Sequence, residues 1–134
     1  MALKITLKPK ERMIIGGAVL ANGNRTTDFV VENKVPILRE KDIMSEKDAD
    51  SPCRRIYFVI QLMYIDESNL KAHHSTYWKL VQDVLAAAPS TSKLVDRISD
   101  HILHANYYQA LKLTKELIAY EKELINVRES IQGL

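Results

Sequence analysis

The hydrophobic period of this chain changes once, near residue 44, and that change constrains the fold more than any other feature. Up to Met44 apolar and polar residues tend to alternate; from Ser45 onward apolar residues recur at helical spacing. Leu3, Ile5 and Leu7 alternate with Lys4, Thr6 and Lys8, the pattern of a half-buried strand. Pro9-Lys10 interrupts it, and Arg12 to Ile15 follows as a second strand. Gly16-Gly17, both tolerant of positive φ, predict a tight hairpin turn into Ala18 to Ala21. Asn22-Gly23-Asn24 predicts another turn, and Arg25 to Glu32 is rich in β-formers. Asn33-Lys34 turns the chain into a last strand, Val35 to Arg39. Pro36 lacks a ladder donor there, which places that strand at an edge or gives it an irregular start. These short strands predict one small, curved antiparallel sheet that needs cover to be stable.

The second part predicts four to five helices. Ser45, followed by Glu46-Lys47-Asp48, suits an N-cap with acids in the first turn. Ser51-Pro52 is a cleaner start, a capping hydroxyl before a proline at the first helical position. The run Ile56 to Ile65 is apolar nearly all round, which predicts a central, buried helix. Asp66 to Asn69 reads as a loop, and a helix from about Leu70 to Ala88 ends at Pro89. Ser90-Thr91-Ser92 is expected to cap a helix from Lys93 to Ala105, and Asn106 the last one. Along that last helix Leu111, Ile118 and Ile125 recur every seven residues, with Leu117 and Leu124 beside them. The expected fold is α+β: a β-rich module over residues 1–44 and a helical module over 45–134, packed together as one unit.

With 134 residues the chain can bury a real core. Its one cysteine, Cys53, cannot close an internal disulfide, which points to a reducing compartment and a small buried thiol. The N-terminus forms no apolar signal region, and Ile56 to Ile65 falls well short of the ~20 residues that span a bilayer. The expectation is a cytoplasmic protein without a membrane partner. Net charge is +2 but uneven: residues 1–44 hold eight Lys/Arg against five Asp/Glu. Within residues 1–25, Lys4, Lys8, Lys10, Arg12 and Arg25 face only Glu11. A basic end on a near-neutral chain hints at a polyanionic partner.

Catalytic patterns are missing. There is no phosphate-binding GxxxxGK[ST] loop, and Gly16-Gly17 opens no helix. His101 and His104 share a helix face, but no HExxH or Cys-x-x-Cys spacing accompanies them. No serine sits in a nucleophile elbow. No cofactor, no metal and no enzymatic activity are expected. The basic residues carry more. Lys4, Thr6 and Lys8 share one face of the first strand, and Arg39 ends the last. If those strands are neighbours, their side chains can follow phosphate oxygens, and Arg39 can stack on an unpaired base. The alternative is a solvated face with Arg39 paired to Glu40 or to an N-terminal acid. Trp78, Tyr107 and Tyr108 suit either base stacking or a helical core.

The segments Asn22-Gly23-Asn24-Arg25, Val35-Pro36-Ile37-Leu38-Arg39-Glu40-Lys41-Asp42-Ile43, Arg55-Ile56-Tyr57-Phe58 with Gln61-Leu62-Met63-Tyr64, Leu85-Ala86-Ala87-Ala88-Pro89 and Tyr107-Tyr108-Gln109-Ala110-Leu111-Lys112 occur in one order. Together they resemble the FlbT family of flagellar regulators over about residues 3–125. The resemblance implies a post-transcriptional regulator that binds the 5′ untranslated region of flagellin messenger RNA and lowers its translation or lifetime. It also implies a second flagellar protein, FlaF, as opposing partner. Lys10 to Gly16 and Val35 to Glu40 are similar to strands of the CsrA translational regulators, small five-stranded dimers that exchange strands. That likeness implies RNA contacts at Thr6, Lys8 and Arg39. Lys10 stands where CsrA has glycine, and Leu7 where it has a base.

The leading expectation is therefore an RNA-binding surface built from Lys4, Thr6, Lys8, Arg12, Arg25 and Arg39, with a homodimer as a candidate assembly. The rival is a protein-interaction adaptor or chaperone-like assembly factor whose helices hold FlaF or flagellin and touch messenger RNA only indirectly.

Overall fold

The structure, a computed structural model, describes residues 2–132. The chain divides into two compact units, Met1–Ile43 and Met44–Leu134.

The first unit holds five strands: β1 (Leu3–Leu7), β2 (Arg12–Ile15), β3 (Ala18–Ala21), β4 (Thr27–Val31) and β5 (Ile37–Arg39). All pairings are antiparallel, but the strands form two sheets instead of one: β1 with β4, and β3-β2-β5. The first and last strands share no ladder, because β1 pairs with β4 and β5 with β2. Gly16 and Gly17, at φ 56° and 87°, make the β2–β3 turn, as a two-residue hairpin with a matching twist requires. A Cβ on Gly16 would come within 2.9 Å of Val35. Pro36 behaves as its missing donor dictates: β5 begins after it, lies at the sheet edge, and the Pro36 carbonyl accepts from the Gly16 N–H at 2.8 Å. One apolar cluster gathers Ile5, Leu7 and Met13, with Ile15, Phe29, Val31 and Ile37 packed against it, and Ile14 and Leu38 are buried as well. The alternation within β1 leaves Lys4, Thr6 and Lys8 exposed.

The second unit holds α1 (Pro52–Ile65), α2 (Leu70–Ala87), α3 (Ser92–Leu103) and α4 (Tyr107–Gln132), joined by short 3-10 turns. The Ser51 hydroxyl accepts from the Arg54 N–H, and Pro52 opens α1. As its all-round apolarity predicts, α1 is central: it packs on α2 and on α4, while α3 packs on α4. Cys53, Ile56, Tyr57, Val59, Ile60 and Met63 are buried in it. The Gln61 amide, also buried, brackets Met44, accepting from its N–H at 2.8 Å and donating to its carbonyl at 2.9 Å. Thr91 does not cap α3 with its side chain; its hydroxyl donates instead to the Ala88 carbonyl at 2.7 Å and closes a 3-10 turn. α3 ends in a left-handed residue, Ala105 at φ 56°. The Asn106 N–H reaches the His101 carbonyl and the Ala105 N–H the Ile102 carbonyl, the two bonds of a Schellman motif. Among the described residues no helix is long and apolar enough to cross a membrane.

Candidate nucleic-acid interface

The turn between β1 and β2 and the end of β5 enclose an open cleft of about 760 Å³, lined by Lys8, Pro9, Lys10, Glu11, Arg39, Glu40 and Lys41. Backbone hydrogen bonds set the shape of this turn. Lys10 is left-handed, at φ 66°, an unusual conformation for a residue with a long side chain. Its N–H donates to the Gly23 carbonyl at 2.8 Å, so the β1–β2 turn is tied to the β3–β4 turn. Asn22 reinforces that tie. Its amide nitrogen lies 2.8 Å from the Lys8 and Arg25 carbonyls and 3.2 Å from that of Leu7; its amide oxygen accepts from the Gly23 N–H and the Thr27 hydroxyl.

The two acids of the cleft are turned toward the framework. Glu11 accepts from the Lys8 N–H at 2.8 Å and lies 3.4 Å from the Arg39 guanidinium. The Lys8 N–H, and then Arg39, hold the Glu11 carboxyl below the ordinary carboxylate range. Glu40 accepts from the Arg12 N–H at 3.3 Å. Arg39 also donates to the Thr6 carbonyl at 2.7 Å, so its side chain bridges from β5 to β1 although the strands share no ladder. A guanidinium carries five N–H donors, which leaves several for a ligand. Lys10 and Lys41 form no ion pair among the described residues. The cleft thus presents a bridged arginine and three lysines, with its carboxylates already accepting from backbone N–H groups. Such a surface takes anions, and phosphate above all.

Of the residues expected from sequence, Lys8 and Arg39 line the cleft. Lys4 and Thr6 continue along the exposed face of β1, with the Thr6 hydroxyl donating to Asp28 at 2.6 Å across the β1–β4 pair. Arg12 is exposed at the start of β2, joined to the cleft through its N–H on Glu40. Arg25 is exposed, and its carbonyl shares the Asn22 amide with Lys8. Arg39 pairs with an N-terminal acid, Glu11, as the alternative reading of the sequence had it, and still faces the cleft. Sequence reasoning missed Lys10, Lys41 and Asn22. Lys10 was visible as a strand interruption and as one of the N-terminal bases, without a place on the binding surface, and Lys41 only as a base two positions after Arg39.

In the helical unit the aromatic side chains meet one another. Tyr64 packs against Tyr108, His74 against Tyr107, and Tyr77 against Trp78. The Tyr107 hydroxyl bonds His74 at 3.0 Å, and the Lys112 ammonium lies 4.9 Å from the centre of the Tyr108 ring. Cys53 is buried beside Glu121, and burial pushes its thiol up to about 12.

Comparison with known proteins adds family to geometry. The model of the flagellar protein FlbT family matches residues 3–125. A "Probable flagellum biosynthesis repressor protein FlbT 1" of Bradyrhizobium diazoefficiens is 41% identical over 92% of this chain and 85% of its own length. Proteins named "Probable flagellum biosynthesis repressor protein FlbT" from Rhodopseudomonas palustris and a Caulobacter species are 37% and 38% identical, over 94% and 92% of this chain and 99% and 95% of theirs. No solved structure matches. With the family model covering nearly all of its described residues, and both β and helical units inside the match, this chain belongs to the FlbT family of flagellar proteins.

Proposed function

We propose that this protein is a cytoplasmic regulator of flagellum biosynthesis that binds the 5′ untranslated region of flagellin messenger RNA in the cationic cleft and represses its translation or promotes its decay. The relatives' names, which call them flagellum biosynthesis repressors, support the biological process. The convergence of Lys8, Lys10, Arg39 and Lys41 on one cleft carries the RNA part of the reading. Phosphates are held by the lysines; Arg39, with a planar fork anchored on Thr6 and Glu11, suits a base edge or an unstacked base. Lys4 and Lys8 extend the contact along β1. Occupying a leader blocks the ribosome without any bond being made or broken, so no catalytic group is needed.

Fluorescence anisotropy of the full chain with a labelled flagellin leader tests this. Binding to single-stranded RNA is expected to weaken with salt by about 0.7 log units per log unit for each phosphate contacted. Arg39→Ala and Lys41→Ala are each expected to weaken it, with circular dichroism unchanged. A folded wild type that ignores the leader sinks the proposal.

One observation favours a second reading, an adaptor for a protein partner such as FlaF or flagellin. α1 and α2 flank a groove of about 440 Å³ in which Phe58, Val59, Leu62 and Leu80 lie beside Glu46, Arg55 and His73. A groove between two helices suits an amphipathic helix, which lays its apolar face on the apolar residues.

A further inference from the structure

α4 outruns the bundle it belongs to. Its first half is core: Ala110, Leu111, Leu113, Thr114 and Leu117 are buried. α3, which packs on it, has 12 residues against 26 in α4. At the edge of the bundle the Tyr120 hydroxyl donates to Ser90 at 2.7 Å, and Glu121 accepts from the Ser51 hydroxyl and the Cys53 N–H. From Lys122 to Ile131 every residue is exposed. At about 1.5 Å per residue that is roughly 15 Å of uncovered helix.

This projecting segment is not polar. Leu124, Val127 and Ile131 are 37%, 58% and 66% exposed. With Leu113, Leu117 and Tyr120 they recur at alternating intervals of four and three, the repeat of a two-helix seam. In heptad terms Leu117, Leu124 and Ile131 occupy a, and Leu113, Tyr120 and Val127 occupy d. The projecting turns carry these apolar residues at the spacing of a two-helix seam, with one further apolar residue, Ile125, beside Leu124. The buried half of the stripe is covered by this chain; its other half continues in the same register with nothing on it.

The charges beside the seam identify the occupant. Glu123 falls at g and Arg128 at e. In a parallel pair of identical helices the g side chain of each meets the following e side chain of the other, so Glu123 faces Arg128 twice. In an antiparallel pair Arg128 would need Glu121, which Ser51 and the Cys53 N–H already hold. We infer that the C-terminal half of α4 docks a second copy of this chain through a short parallel two-helix seam from Tyr120 to Ile131. The seam is shorter than a free-standing coiled coil needs, but the buried half of α4 has already nucleated the helix. The inference stands apart from RNA binding, since it uses neither the cleft nor its residues.

Sedimentation of the full chain over a range of concentrations tests it. The expected result is a concentration-dependent species of twice the 15.3 kDa chain mass. Val127→Glu abolishes it. Ile125→Glu, which adds the same charge at an exposed apolar position off the seam, leaves it intact. Arg128→Glu weakens it, and adding Glu123→Arg restores it. Circular dichroism confirms that each variant keeps its helix content. A wild type that stays monomeric at every concentration overturns the inference, as does equal loss with Val127→Glu and Ile125→Glu. Failure of the double charge swap to restore the dimer rules out the parallel register.

Discussion

The two units of this protein are held together differently. The helical unit is held by apolar burial: Ile60, Met63, Tyr77, Val95, Ile98 and Leu117 are almost wholly removed from water. Its buried polar side chains, Gln61, Thr91 and Thr114, have partners. The strand unit buries fewer large apolar side chains, Ile5, Leu7, Met13, Ile14 and Leu38, with a few half-buried neighbours. Much of its shape comes from side chains bonding backbone: Asn22 on two turns, Glu11 on Lys8, Arg39 on Thr6. A small unit that must keep one face polar cannot rely on a large core, so it uses hydrogen bonds. Those same bonds hold the bases of the cleft in place, so under the proposed function binding should depend on local order in the strand unit and not in the helical one.

Core truncation in the helical unit should have the largest effect. Ile60→Ala is expected to cost about 2–5 kcal/mol in chemical denaturation, while the affinity of the folded protein for leader RNA stays the same. Asn22→Ala should do the converse. It is expected to cost about 1–3 kcal/mol, for partners left unsatisfied, and to weaken RNA binding in protein that is still folded. If Asn22→Ala unfolds the chain without touching the affinity of the folded fraction, the coupling of order and binding in the strand unit is wrong.

A sharper contrast lies in the two left-handed non-glycine residues, Lys10 and Ala105. Each pays a steric penalty of about 1–2 kcal/mol that glycine would relieve, offset in part by glycine's greater freedom when unfolded. Ala105→Gly is expected to raise stability by up to about 1 kcal/mol with no functional effect. Lys10→Gly should also stabilise, yet bind RNA more weakly, because the strain there is the cost of an ammonium in the cleft. Unchanged binding in Lys10→Gly would remove Lys10 from the site.

The smallest expected effect is one of pH. Asp66 accepts from Ser68, Asn69 and His73, which hold its carboxyl at about 2, below its ordinary value of 3.8. Its contribution to stability is therefore complete above pH 3.8 and fades as pH falls toward 2. Asp66→Asn should flatten the acid limb of a stability–pH curve over that window and leave the neutral region parallel to wild type.

Much of this architecture was legible in sequence where the determinant is local. The alternation of β1, the Gly16-Gly17 turn, the late start of β5 after Pro36 and the Ser51-Pro52 start of α1 all follow from residues within a few positions of the feature. What was not legible depends on residues far apart in the chain. Strand alternation says which face is buried but not which strand pairs with which, so the split into two sheets was hidden. Glu121 reaches the start of α1 from some seventy residues away, and no local pattern announces it. The cleft was half visible: Lys8 and Arg39 stood out by alternation and resemblance, whereas Lys10 and Lys41 join them only when the β1–β2 turn folds beside the end of β5. Thr91 has the chemistry of a cap, and the 3-10 turn at Pro89 uses its hydroxyl first.

The most direct test of the central claim sets the two units against each other on the same RNA. The salt dependence of leader binding is measured for wild type, for Lys41→Ala in the cleft, and for Lys93→Ala, an exposed lysine of α3. Lys41→Ala is expected to lower the magnitude of the log–log slope by about 0.7, the share of one phosphate contact on a single strand, and Lys93→Ala to leave it unchanged. An equal change in both variants, or a change in Lys93→Ala alone, would contradict a binding site in the strand unit.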